Sequence, residues 1–282
     1  MSVLTDTFEL ANGVKIPKVG FGTWQTPAGD VAYQAVLNAL KVGYRHVDTA
    51  KAYGNEADVG RAVRDSGIPR DQVFVTSKLP AQSKTYDEAM ADFDSTFKKL
   101  DIDYVDLYLV HAPWPWNQIG KDCDEGNIEV WRAMQDIYAS GRVKAIDVSN
   151  FNVHDLKNVF ANAKVKPMIN QIQYYVGYTE PKITSFAKEN GVLVEAYSPL
   201  ATGGLLKNDQ MVALAGKYNV SVAQMALRFC LQNGVLPLPK AVGEDHIENN
   251  AKLDFEISDA DMATLNNMPD TAPEHSHNST QG

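Results

Sequence analysis

Four residues of this 282-residue chain have side chains that could move a proton together: Asp48, Tyr53, Lys78 and His111. Asp48 and Tyr53 lie in HVDTAKAYGNE, Lys78 sits at the end of VFVTSKL, and His111 closes VDLYLVH. A lysine at the end of an apolar run is costly to bury without a partner, and Asp48 can supply the opposite charge. A phenol titrates near pH ~10 and donates a proton poorly unless a nearby cation stabilises its phenolate, so Lys78 is expected to lower the pKa of Tyr53. His111 could hydrogen-bond the same substrate oxygen and orient it. Taken singly, each residue reads as a cap or a satisfied buried polar group at roughly two to one. Their joint placement favours proton delivery to a carbonyl oxygen that is gaining negative charge. The set has no metal cluster, reactive thiol or serine nucleophile, so it implies a cofactor as the electrophilic or hydride partner.

Something must bring these residues together. Eight short apolar runs rich in β-branched residues begin at Val19, His46, Val73, Val105, Val143, Met168, Val192 and Val235. Between them are stretches with helical spacing, such as Ala32, Ala35, Val36, Ala39 and Leu40, or Val222, Met225, Ala226, Phe229 and Cys230. Strict alternation without a linker predicts an α/β fold, one closed (β/α)8 TIM barrel over residues 1–282, with a doubly wound sheet as the alternative. Asn12-Gly13 suits the positive φ angles of a type I′ hairpin turn, which would plug the barrel bottom. Helices over Asn208–Tyr218 and Ser258–Asn267 are expected as additions, and residues 270–282 read as a polar, mobile tail.

Barrels of this kind place their sites at the carboxyl ends of the strands. Asp48, Lys78, His111, Ser149, Asn150, Gln171, Tyr197 and Lys240 all fall there, and Tyr53 follows just after the second strand. No GxGxxG follows any strand, so a dinucleotide would bind by some means other than the Rossmann turn.

Composition narrows the partners. Hydrophobic residues make up 44% and charged residues 22%, which suits a globular protein. A formal charge of -9 argues against nucleic acid, although placed cations and backbone amides still allow an anionic cofactor. The start MSVLTDTFELANGVKIP lacks a signal-peptide pattern and no apolar run approaches a membrane span, so the expected location is cytoplasmic. Cys123 and Cys230 read as free thiols, no metal site is indicated, and the NST acceptor at 278–280 reads as accidental.

GYRHVDTAKAYGNEADVG, VFVTSKL, VDLYLVHAPWP, VSNF, NQIQYY, YSPLATGGLL and LPKAV occur in an order that resembles the aldo-keto reductases, nicotinamide-dependent (β/α)8 barrels, over nearly the whole chain. The resemblance implies that Asp48, Tyr53, Lys78 and His111 form the catalytic tetrad, with Tyr53 as acid in reduction. It implies that Ser149, Asn150 and Gln171 bind the nicotinamide carboxamide and that Tyr197 stacks on the nicotinamide ring. Ser198, Leu200, Gly203 and Gly204 would lie along the pyrophosphate. Lys240, Ala241, His246, Asn249 and Asn250 match the region that holds the adenosine end and the 2′-phosphate.

The chain departs from the family pattern at several of these positions. Ala241 stands where NADP-preferring members commonly have Ser, His246 where they have Arg, and Asn249 where they have Glu. Arg offers phosphate a fixed bidentate fork that His lacks, so the expectation is NADPH use through Lys240, with a weakened preference and NADH also usable. Asp147 stands where the family usually has Gly, directed to the barrel mouth or the interior. Trp24, Trp114 and Trp116 are candidate walls for a mostly apolar carbonyl substrate: an aldehyde, ketone, keto ester or sugar-derived diketone. The resemblance further implies a monomer. Two rival readings are a nicotinamide-binding regulatory subunit without turnover and a lyase or isomerase using a neutral Lys78 as Schiff-base amine.

Overall fold

The computed structural model describes residues 3–274 and 278. Eight parallel strands run in chain order around one sheet: β3 (Phe21–Gly22), β4 (His46–Asp48), β5 (Phe74–Leu79), β6 (Val105–Val110), β7 (Val143–Ser149), β8 (Ile169–Gln173), β9 (Leu193–Tyr197) and β10 (Leu236–Leu238). Closure comes from two backbone bonds, Gly20 N to Pro237 O at 3.1 Å and Gly22 N to Pro239 O at 2.9 Å. Glycine is required at this seam. A Cβ on Gly20 would stand 2.4 Å from Leu238 Cδ2 and 2.7 Å from His46 Nδ1.

β5 and β6 are buried at every position because helices cover the outer face while side chains fill the interior. The outward set on these strands includes Val75, Leu79, Tyr108 and Val110, which join the helix-facing core. The inward set includes Phe74, Leu107 and Leu109, and with Ala145, Ile169, Leu236 and Leu238 it fills the barrel floor. Period-two alternation therefore also sends Lys78, Ser149, Gln171 and Tyr197 inward, toward the mouth.

Helices alternate with the strands: α1 (Asp30–Val42), α2 (Glu56–Asp65), α3 (Tyr86–Leu100), α4 (Asp124–Ala139), α5 (Val153–Asn162), α6 (Pro181–Glu189), α7 (Asp209–Lys217), α8 (Val222–Gln232), α9 (Glu244–Ala251) and α10 (Asp259–Asn266). α3 shows the local logic: Thr85 and Glu88 form a capping box, and Ala89, Phe93, Thr96 and Leu100 make the buried stripe. α7 and α10 are the two expected additions, capped by Asn208 and Ser258.

The hairpin of β1 (Thr7–Glu9) and β2 (Lys15–Pro17) seals the floor by packing Leu10 and Ile16 onto it. Its turn is not type I′. The connection spans Leu10 to Val14, Gly13 N donates to Leu10 O, and of Asn12 and Gly13 only Gly13 has positive φ. Asn12 instead anchors the turn, donating to Lys144 O and accepting from Val14 N.

The segment after α10 also differs from expectation at its start. Thr271 and Ala272 are buried, the Thr271 hydroxyl donates to Val176 O, and Tyr175 donates to Asp270 at 2.9 Å. Close approach at Gly177, where a Cβ would meet Pro269 O at 2.3 Å, explains how this polar stretch packs. The rest of the predicted mobile tail lies outside the described residues, apart from Glu274 and its neighbours to 273, and Asn278. Among the described residues no helix is long and apolar enough to cross a membrane.

Candidate active site

Lys78 is buried at the end of β5 with three acceptors around its ammonium: Asp48 Oδ1 at 2.6 Å, Thr49 O at 2.9 Å and the Tyr53 hydroxyl at 3.2 Å. Three donors thus meet three acceptors. Burial alone would lower the Lys78 pKa, but the Asp48 charge, Tyr53 and the hydrogen bonds to both raise it overall, so the ammonium form holds. Lys78 does not line the cleft above it, which leaves a Schiff-base role without access.

Asp48 and His111 are buried and Tyr53 is half-buried, and all three line a cleft of about 750 Å³ at the carboxyl ends of the strands. Tyr53 is carried on a short turn between β4 and α2, tied down by Lys51 on Asp92 at 2.5 Å and by Asn55, which receives the Thr49 hydroxyl at 2.7 Å. The Tyr53 and His111 rings meet edge to face with centroids 5.7 Å apart.

Electrostatics here differ from the sequence-based expectation. Burial raises the Tyr53 pKa, Lys78 opposes that as anticipated, and the net direction is upward because a phenolate would lose its water. Tyr53 therefore stays protonated through the neutral range. His111 is held well below the usual imidazole value by burial and then by the Lys78 charge. It is neutral, and its Nδ1 has no hydrogen-bond partner among the described residues.

Ser149, Asn150, Gln171 and Tyr197 come together beside this group. The Ser149 hydroxyl donates to Gln171 O at 2.8 Å, Asn150 Nδ2 donates to His111 O at 2.9 Å, and the Tyr197 hydroxyl donates to Asn150 Oδ1 at 2.7 Å. Gln171 Nε2 donates to Asp48 Oδ2 at 3.0 Å and to Glu195 Oε2 at 2.9 Å, which leaves its side-chain oxygen as an available acceptor. Non-glycine residues with positive φ gather here: Asn150, Ser198, Ala201 and Thr202. Such backbone is held only where the surroundings over-determine it, and functional clefts are where it collects.

The cleft continues past Ser198, Leu200 and Gly203 to Lys240, Ala241, His246 and Asn250. Lys240 and His246 are exposed there. A long cleft with an amide-rich inner end, small residues midway and a cation at the outer end fits a dinucleotide. Two expected members lie elsewhere. Gly204 abuts Ala272, and Asn249 faces away on α9, where its amide oxygen accepts from Lys252 at 3.4 Å.

The tryptophans divide likewise. Trp24, 45% exposed, and Trp116 line the cleft, whereas Trp114 is 2% exposed and packs with Ala81 and Ala112 behind Trp116. Asp147 points into the interior below the mouth. Its Oδ1 accepts from Met168 N and from Ile169 N at 2.8 Å, just before the β7–β8 ladder begins at Val148 and Asn170.

Sequence reasoning missed two contributors. Glu195 shares the inward face of β9 with Tyr197, and alternation alone could have flagged it. Asn278, which donates to the Tyr197 hydroxyl at 3.1 Å and lines the cleft, had no such signal because only the chain's return path brings it there.

Fold and cleft define a barrel oxidoreductase. The family model described as "Aldo/keto reductase family" matches residues 18–269, and the chain belongs to that family. It is 40% identical over 260 residues to the glyoxal reductase of Bacillus subtilis, covering 92% of this chain and 91% of that one. It is 38% identical over 287 residues to glycerol 2-dehydrogenase (NADP(+)) of Saccharomyces cerevisiae, covering 94% and 91%. An aldo/keto reductase from Brucella melitensis superposes with TM-score 0.86 at 38% identity, covering 92% and 98%. An aldo-keto reductase of Bombyx mori in complex with NADP superposes with TM-score 0.84 at 31% identity, covering 94% and 93%.

Proposed function

We propose that this protein reduces aldehydes and ketones to alcohols with NADPH, using Tyr53 as the proton donor. The observation that carries this reading is the Tyr53 hydroxyl, facing the cleft and backed at 3.2 Å by an ammonium that Asp48 holds at 2.6 Å. NADPH, when bound, supplies the hydride. The neutral His111 hydrogen-bonds and orients the carbonyl oxygen, and Tyr53 protonates that oxygen as its charge grows. Lys78 offsets the charge left on the phenol and never touches the substrate.

Ser149, Asn150 and Gln171 would hold the nicotinamide amide, Tyr197 its ring face, and Lys240 the 2′-phosphate. With His246 in place of a guanidinium, NADH is a weaker second cofactor. The mixed aromatic wall of Trp24 and Trp116 suits small aldehydes, dicarbonyls and keto esters.

Steady-state reduction of an aldehyde and keto-ester panel tests the reading. Tyr53→Phe should lower kcat by roughly 10²- to 10⁴-fold while NADPH still quenches tryptophan fluorescence. Cofactor binding by wild type without turnover of any carbonyl would instead mark a nicotinamide-sensing protein.

A further inference from the structure

The barrel interior holds more acid than the reaction needs. Among the described residues Asp48, Glu195 and Asp147 are three carboxyl groups buried there, and Lys78 is the single buried ammonium beside them. Asp48 takes that ammonium at 2.6 Å, so the other two gain least by ionising. Glu195 is nevertheless wired to the site. Gln171 Nε2 bridges Glu195 Oε2 and Asp48 Oδ2, while Glu195 Oε1 has no hydrogen-bond partner among the described residues. Asp147 Oδ2 is likewise unpartnered among the described residues, so what distinguishes Glu195 is the amide it shares with Asp48.

We propose that Glu195 is a positioning residue for the reaction: neutral, it shares the Gln171 amide with Asp48 and leaves the Asp48–Lys78 pair balanced, and on ionising it weakens proton donation by Tyr53. The inference rests on the proton-donor reading above. The titratable groups sharing the interior and mouth with Glu195 are Asp48 and His46 from β4, Tyr53 from the turn after it, Lys78 from β5, His111 just after β6, Asp147 from β7 and Tyr197 from β9 itself; among the described residues β3, β8 and β10 contribute none. Burial, and then the Asp48 charge, push the Glu195 carboxyl up to about 8, against the opposing pull of Gln171 and Lys78. Burial pushes the Asp147 carboxyl up, against the opposing pull of the Met168 and Ile169 amides on its Oδ1. Both histidines are neutral.

The sign of the effect follows from Coulomb's law. A second anion beside Lys78 disfavours the Tyr53 phenolate, so the phenol becomes a poorer acid. Reduction should therefore slow as the medium passes through the ionisation of Glu195, well before Tyr53 itself titrates.

Infrared difference spectra of cofactor-free protein labelled with ¹³C-glutamate provide the first test. A protonated-carboxyl band should vanish as pH rises through about 8 and be missing in Glu195→Gln. In parallel, kcat/KM for reduction should fall several-fold across that range in wild type and stay level in Glu195→Gln. Glu195→Thr, which keeps an acceptor for Gln171 without an ionisable group, repeats the comparison if Glu195→Gln fails to fold. Loss of stability with an unchanged pH profile in either variant would overturn the proposal, as would a labelled protein with no band titrating in this range. Absence of turnover in wild type would sink the reductase reading alone, since the spectra do not depend on it.

Discussion

The Lys78 ammonium sits 2.6 Å from Asp48 Oδ1, and neither side chain has appreciable contact with solvent. The pair carries a large desolvation cost that only their mutual contact and the added bonds to Thr49 O and Tyr53 offset. Removing one partner is therefore worse than removing both.

Asp48→Asn should destabilise the protein by roughly 3–5 kcal/mol in urea unfolding, because it strands a buried ammonium. Combining Asp48→Leu with Lys78→Met should recover much of that loss while leaving the protein inactive. A double variant less stable than Asp48→Asn alone would contradict the assignment of the cost to unpaired charge.

Trp114 and Trp116 are adjacent in space, with centroids 5.2 Å apart, yet only Trp116 lines the cleft. Trp114→Ala should cost about 3–5 kcal/mol of stability through the cavity it leaves. Trp116→Ala should mainly raise KM for aromatic aldehydes, with a smaller loss in thermal denaturation. The reverse pattern would show that the wall is misassigned.

Lys240 and His246 stand exposed at the outer end of the cleft. Lys240→Ala should weaken NADPH binding much more than NADH binding in fluorescence titrations. His246→Arg should strengthen NADPH binding by roughly tenfold, the scale of one charge-assisted hydrogen bond. Equal losses for both cofactors in Lys240→Ala would remove the 2′-phosphate from its reach.

Histidine burial predicts acid sensitivity. His46 is pushed down to about 3 by burial and the Lys78 charge, and His111 is also held well below its ordinary value. The unfolded chain takes up protons on these residues as pH falls through ~6.5, whereas the folded chain does not. Stability should therefore fall as pH drops from there toward about 3. His46→Gln should flatten this slope in urea midpoints measured across that interval.

Much of the site was legible in sequence because it rests on local rules. β-branched runs mark the strands, alternation gives each residue its face, and in a parallel barrel the inward residues at the carboxyl ends must converge. That logic, read with the resemblance, assembles Asp48, Tyr53, Lys78 and His111 and names their neighbours Ser149, Asn150, Gln171 and Tyr197. The hairpin, though not its turn type, the two added helices and the Ser258 cap were readable for the same reason: each depends on a few neighbouring residues.

What only the tertiary structure decided is depth and who stands across the barrel. Periodicity assigns Asp147 and Glu195 to the inside without saying that one accepts from the Met168 and Ile169 amides and the other reaches Asp48 through Gln171. It could not rank burial above the Lys78 charge at Tyr53, nor separate buried Trp114 from Trp116 two residues later. These outcomes depend on contacts between residues as far apart as Asp48 and Gln171, which are neighbours only because β3 and β10 meet and close the barrel. Chain pattern sets the direction of a side chain; closure of the fold sets its surroundings, and with them its charge and its chemistry.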